Sequence, residues 1–390
     1  MKRGLLALSM AYILSQFYRA FLPVIAPVLA AEIGATPDDL AYASGIWFVV
    51  FAAMQIPVGI GLDALGPKRT ASALFIFGGA GGALLFSLAQ SPLHVSIAMG
   101  LIGIGCSPIL MAAYYIIART YSAAAFGTLA GGMIGFGSIG NLAGSAPMAW
   151  SIEAFGWRPT MLGLAAVSLV VGLSLIAVIR DPERVETEEK GSVLTLLKMP
   201  ILWPIFAMML VNYAPAAGLR GLWAGPYLGD VFGADVTAIG RATFVMAIAM
   251  VIGNFAFGPL ERLFGTRKWV VFSGIAIGAV ALALLWAFPD RSLWFSTLLL
   301  AAVGISGSTF AVIIGHGKAF FPAHLTGRGV TLMNLFGIGG AGIMQFATGP
   351  IYRAGLSDVP STAYTAIFAV FTVMTVVGLA AYLFAQDRTD

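Results

Sequence analysis

Apolar residues in this chain come in long runs separated by short polar breaks. A helix needs about 20 apolar residues to cross a bilayer. Runs of that kind lie at 5–30, 40–62, 71–90, 94–117, 126–150, 158–179, 201–228, 240–260, 269–288, 293–315, 329–351 and 362–385. The breaks between them carry turn and charge chemistry, as in "GATPDD", "DALGPKR", "GWRP", "FGTRK" and "FPDRS". The pattern predicts an all-α membrane protein with twelve transmembrane helices.

The longest polar stretch, "RDPERVETEEKGSVLTLLKMP", runs from Arg180 to Pro200, between spans six and seven. Its centre reads as a solvated linker. It divides the chain into a six-helix bundle at 1–180, a linker at 181–199 and a second six-helix bundle at 200–390. The halves repeat each other. Pro27 and the Gly34-Ala35 pair recur 199 positions later as Pro226 and Gly233-Ala234. Asp63, Gly66 and Lys68 are matched by Glu261, Gly265 and Lys268. Such a duplication suggests a transporter whose site lies between the halves.

Composition agrees with a bilayer setting. The 390 residues are 59% hydrophobic and 10% charged, with a mean hydropathy of +0.93, whereas soluble chains carry about 25% charged residues. The 48 glycines suit close helix packing. Cys106 is the single cysteine, so neither a disulfide framework nor a multi-thiol metal site is available. The net charge of +4 is explained by placement rather than by nucleic acid. With the N-terminus inside, fifteen of the 21 Lys and Arg residues fall on cytoplasmic loops and four on outer loops. Met1-Lys2-Arg3 opens an apolar run too long for a signal-peptide core, so the first segment is expected to be a retained helix. These features predict a multi-pass protein of a bacterial inner membrane with both termini cytoplasmic. They also predict a monomer whose surroundings are the lipid bilayer, with no nucleic-acid partner, no cofactor, no metal and no enzymatic activity.

The loop after span two, "GIGLDALGPKR", holds Gly59, Asp63, Gly66, Lys68 and Arg69. It resembles the loop signature G-x-x-x-D-x-x-G-x-[RK]-[RK] of the major facilitator superfamily, with Ala64 where a basic residue is usual. The second copy, "GPLERLFGTRK", is looser, with Gly258 one residue closer to Glu261. The resemblance covers the whole chain through twelve spans, a central loop and the duplicated motif. It implies two pseudo-symmetric bundles that alternate access to a midplane site, and a cytoplasmic gate built from the motif. Under that implication Asp63 sits near the start of span eleven beside Arg328, and Glu261 faces Arg119. The alternative, that these charges only fix topology, stays open. Spans five and eleven, "LAGGMIGFGSIGNLAGSAP" and "NLFGIGGAGIMQFATGP", carry small residues at steps of three or four. Close packing explains them, and the resemblance adds a moving interface between halves.

Two charges do not fit a topological role. Arg19 and Arg220 fall within spans, whereas all 17 acidic residues can be placed near a loop or a span end. A charge at mid-bilayer costs about 2.5–3.5 kcal/mol on insertion scales. Two cations without an acid at their depth describe a cavity for an anion, and the planar fork of Arg suits a carboxylate or phosphate. The pair resembles the clasp of organophosphate and organic-anion members of the superfamily. Gln16, Tyr18, Tyr115, Asn141, Asn212, Tyr213, Trp223, Asn334 and Gln345 are polar or amphipathic side chains inside spans and complete the candidate substrate site. Competing readings are a structural Arg19 bonded to backbone carbonyls and an Arg220 that snorkels to the interface. The reading is a secondary transporter of a small organic carboxylate or phosphate ester, by exchange or symport. The alternatives are a nitrate/nitrite-type porter, faintly suggested by "GSIGNLAG", and a non-transporting anion sensor. A metal transporter using Met246 and Met250 or a drug exporter ranks lower. His316 and His324, at the cytoplasmic end of span ten, are expected at the surface, with His316 also a candidate proton carrier for symport.

Overall fold

A computed structural model describes residues 2–120, 123–182, 193–322 and 325–388. Among these residues every regular element is helical. The order is α1 (Lys2–Phe17), α2 (Leu22–Ile33), α3 (Pro37–Ala53), α4 (Gln55–Ala64), α5 (Pro67–Leu74), α6 (Gly81–Ser87), α7 (Pro92–Cys106), α8 (Ile109–Thr120), α9 (Ala123–Ala143), α10 (Ala146–Phe155) and α11 (Trp157–Val178). There follow α12 (Val193–Leu197), α13 (Trp203–Asn212), α14 (Ala214–Gly218), α15 (Ala224–Phe232), α16 (Val236–Phe264), α17 (Lys268–Ala287), α18 (Leu293–Gly307), α19 (Phe310–Lys318), α20 (Thr326–Ala354) and α21 (Ser361–Tyr382). Helix occupies each of the apolar runs read from the sequence. Among the described residues nine helical stretches are long and apolar enough to cross a membrane, and the bent pair α1–α2 makes up to ten. The chain divides into two compact units, Met1–Glu186 with Asp235–Gly240 and Thr187–Ala234 with Arg241–Asp390.

Several spans are broken, and the breaks follow from sequence. Span one bends by 52° between α1 and α2, where Pro23 stands in the first turn of α2 and disfavours helix just before itself. In span seven α13 stops at Asn212, Pro215 opens the short α14, and a π-helical turn runs from Leu219 to Trp223. Interrupted helices inside a membrane are tolerated where the freed backbone is buried in protein or lines a cavity. α2 and α15 end alike. Gly34 and Gly233 adopt left-handed φ of 66° and 64°. The next N–H then reaches back six residues, from Ala35 to Leu29 and from Ala234 to Leu228, a Schellman ending that glycine makes cheap.

Within each half, the glycines of one span admit the backbone of another. A Cβ at Gly140 on α9 would collide with the Ile13 carbonyl on α1, and one at Gly340 on α20 with the Leu210 carbonyl on α13. The contacts of these glycines described here lie inside their own halves. The second half is packed round a core that includes Phe206, Met209, Ile275, Ile313, Met333 and Tyr382. His316 corrects the surface expectation. It is fully buried in that core, with Nδ1 2.6 Å from the Tyr382 hydroxyl and Nε2 2.7 Å from the Gln386 carbonyl. The carbonyl only accepts, so Nε2 carries the proton and neutral Nδ1 accepts from the tyrosine. His324 lies outside the described residues.

Candidate functional site

Both intramembrane arginines sit where a helix is interrupted. Arg19 occupies the turn between α1 and α2, where its own N–H bonds the Gln16 carbonyl at 3.3 Å. Its guanidinium carbon stands 4.9 Å from the ring centres of both Trp47 and Phe51 on α3. Those rings are stacked on each other at 5.0 Å. Among the described residues Arg19 forms no ion pair, and its Nε has no hydrogen-bond acceptor. Aromatic faces attract the cation yet leave its charge uncompensated. The spacing of Trp47 and Phe51, one helical turn apart, is what makes the shared platform. Nothing in the sequence singles them out, because aromatic residues in an apolar span look like core.

Arg220 lies in the π turn and is 4% exposed, so its head is inside the protein rather than snorkelling. In the same half, Trp223 Nε1 donates to Thr348 at 2.9 Å, Thr348 donates to the Gln345 carbonyl at 3.0 Å, and Gln345 Nε2 approaches the Ala217 carbonyl at 3.5 Å. Asn212 Nδ2 donates to Thr309 at 2.6 Å. The side-chain oxygens of Asn212 and Gln345 are buried and receive no hydrogen bond from the described residues. Tyr213 packs edge-on against Phe310. Asn334 is half-buried.

In the first half Tyr18 turns its hydroxyl to Ser168, 2.9 Å away on α11. Gln16 is buried on α1, where a Cβ at Gly137 would press on its side chain. Asn141 on α9 is half-buried. Tyr115 lies under the guanidinium of Arg119, 5.0 Å from its ring centre, and so joins a candidate gate residue rather than Arg19.

At the loop motifs the structure supplies partners that the sequence did not. In the first half Gly66 has φ 86°, and a Cβ there would collide with the Asp181 carboxylate. Asp181 follows span six and accepts from the Lys68 backbone N–H at 2.7 Å. In the second half Asp387 follows span twelve. It accepts from the backbone N–H groups of Arg267 and Lys268 at 3.1 and 3.0 Å, and from the Thr266 hydroxyl. Each carboxylate therefore sits at the N-terminus of the third span of its half, where free N–H groups and the helix dipole favour an anion. Partial burial pulls the Asp387 carboxyl up, but the Thr266 hydroxyl and the two backbone donors outweigh it and hold it below the usual carboxylate range. Glu261 pairs with Arg267 of its own loop at 2.6 Å. Gly59 and Arg69 are exposed. The side chains of Asp63 and Arg328 lie outside the described residues.

Comparison with known proteins identifies the family. The sequence signature of the Major Facilitator Superfamily matches residues 8–222. The chain is 23% identical over 381 residues to an uncharacterized MFS-type transporter of Mycobacterium tuberculosis, covering 80% of this chain and 54% of that protein. It is 28% identical over 204 residues to the gentisate transporter of Corynebacterium glutamicum, covering 49% of this chain and 44% of that one. The chain thus spans about half the length of the curated relatives it matches. Among solved structures, a bacterial homolog of the human lysosomal transporter Spinster superposes with a TM-score of 0.78 at 18% identity, covering 98% of this chain and 96% of that one. The nucleoside transporter NupG superposes with a TM-score of 0.78 at 13% identity, covering 97% and 99%. These likenesses establish the fold. With the signature matched over more than half of the sequence, the chain belongs to the Major Facilitator Superfamily.

Proposed function

We propose that this protein is a secondary active transporter of a small organic anion, working by alternating access. The observation that carries the reading is Arg19. It is a permanently charged group in a broken transmembrane helix, held by two aromatic rings and by no carboxylate among the described residues. A guanidinium held in this way has its outer N–H donors available for an incoming oxyanion. Arg220, buried in the corresponding span of the second half, is its proposed counterpart. The relative described as a gentisate transporter moves an aromatic carboxylate by its name, which supports the same substrate class.

The lack of acids at span centres favours exchange of anions, or symport in which the substrate itself carries the proton. His316 has both ring nitrogens engaged and is a poor relay. The motif residues Asp63, Gly66, Lys68 and Arg69, with Arg119, Glu261 and Arg328, are proposed to govern the cytoplasmic gate. The Lys and Arg bias argues for cytoplasmic termini in a bacterial inner membrane. The test is uptake of labelled gentisate, a phosphate ester and nitrate by proteoliposomes. Arg19→Gln and Arg220→Gln are expected to lose most of the uptake of the anion that the parent protein carries. Unchanged affinity in both variants overturns the anion-site reading, and uptake of nitrate alone redirects it to inorganic anions.

A further inference from the structure

Three tryptophans are among the largest fully buried side chains: Trp47, Trp157 and Trp223. Two of them satisfy the indole N–H. Trp157 donates to Glu32 at 2.8 Å and Trp223 to Thr348 at 2.9 Å. Trp47 does not. It is 1% exposed, its Nε1 is buried, and no group among the described residues accepts from it. A buried donor left in this state bears the full cost of its desolvation. Native proteins rarely leave one without a reason.

The neighbourhood holds a second such donor, Arg19 Nε, with the guanidinium carbon 4.9 Å from the Trp47 ring centre. Phe48 and Phe51 pack on the same indole at 4.9 and 5.0 Å and offer no acceptor. The place therefore has two N–H donors, one positive charge and aromatic carbon around them. Water would satisfy an N–H but would not balance the guanidinium. An oxyanion does both.

We propose that Trp47 is a ligand-binding residue, its indole N–H donating to one oxygen of a carboxylate whose charge Arg19 balances. This rests on the reading of Arg19 as an anion-binding residue. A carboxylate fits better than a phosphate ester. A carboxylate presents one oxygen to each donor, whereas a phosphate ester would turn its further oxygens towards aromatic walls that offer them no hydrogen bond. Bound anion relieves the burial cost that the ligand-free protein bears, so part of the affinity is built in before the ligand arrives.

The experiment uses the purified full chain and measures dissociation constants for gentisate, benzoate, lactate, glycerol 3-phosphate and nitrate. Trp47→Phe removes the N–H and keeps a ring against Arg19. It is expected to weaken carboxylate binding about tenfold, equivalent to about 1.4 kcal/mol, with the ligand-free melting temperature nearly unchanged. Arg19→Gln is expected to weaken it further. In protein labelled with 15N at the indoles, one of the eight tryptophan N–H signals should move downfield with carboxylate, and that signal should be missing from Trp47→Phe. If Arg19→Gln loses binding while Trp47→Phe binds as the parent does, the role of Trp47 is overturned and the Arg19 reading stands. If neither variant changes affinity, or no probe binds, both fall. A preference for glycerol 3-phosphate or nitrate overturns the carboxylate assignment. Should Trp47→Phe prove unstable, the parent protein decides alone, since eight unmoved indole signals with carboxylate bound exclude the contact.

Discussion

At the scale of single residues, Arg19 is held by π faces and the loop carboxylates Asp181 and Asp387 by backbone donors. Arg19 stands over two rings, and Arg119 and Tyr115 repeat the arrangement at 5.0 Å. Lysine in place of Arg19 keeps the charge and the cation–π attraction but loses the planar fork. Arg19→Lys is therefore expected to bind the preferred anion more weakly than the parent and more tightly than Arg19→Gln, as a titration of all three will read. His316 is a second residue whose role is packing and hydrogen bonding together. In His316→Phe the Tyr382 hydroxyl and the Gln386 carbonyl lose their partner. The Tyr382 hydroxyl is buried, so leaving it unsatisfied costs about 1–3 kcal/mol, and a clear fall in melting temperature is expected. Asp387 gives a pH dependence. Its carboxyl is held below the usual range when folded. Its contribution to stability is therefore complete above about pH 4, the ordinary aspartate value, and fades as pH falls through the lowered one. Asp387→Asn should flatten that part of a plot of melting temperature against pH.

At the scale of elements, helix contacts are set by where a side chain is missing. Gly340 meets the Leu210 carbonyl, whereas a Cβ at the adjacent Gly339 would have nothing within 4 Å. Gly340→Ala should cost about 1–3 kcal/mol through overpacking, whereas Gly339→Ala should be neutral or gain about 0.5–1 kcal/mol from helix propensity. Thermal unfolding of the two variants in one detergent checks both signs. The sequence makes the helices legible because apolar runs of span length leave few alternatives. It also points to loosened backbone before Arg220 through Pro215 and Gly218. It does not show which surfaces the glycines meet, since spacing alone does not identify the partner helix. Nor does it show the aromatic platform, because Trp47 and Phe51 are indistinguishable from ordinary core until Arg19 is placed beside them. Asp230 reads in the sequence as a plain outer acid. In the fold it accepts from the hydroxyls of Tyr364 and Tyr352, residues more than a hundred positions away.

At the scale of the molecule, duplication is the organising fact. The endings at Gly34 and Gly233, the close approaches at Gly140 and Gly340, and the carboxylates Asp181 and Asp387 recur in order. Halves of this kind are legible from the repeated motifs. The register of Arg19 and Arg220 is less so, because a turn in one half and a π turn in the other change the count of residues. The charge bias makes a topological prediction. In a Cys106→Ser background, Lys198→Cys and Asp358→Cys, both at exposed positions, should react with an impermeant thiol reagent from opposite sides of the membrane. Reaction from the same side would refute the orientation. The two carboxylates at the starts of α5 and α17 carry a further consequence for biosynthesis. Each ties the third span of a half to the residue that follows its sixth, so neither half closes its loop face until its last span has been made. The first half is complete once Asp181 has left the ribosome, with more than half of the chain still to come. The second must wait for Asp387, so a truncation that retains α21 but stops short of that residue should insert normally and yet melt earlier.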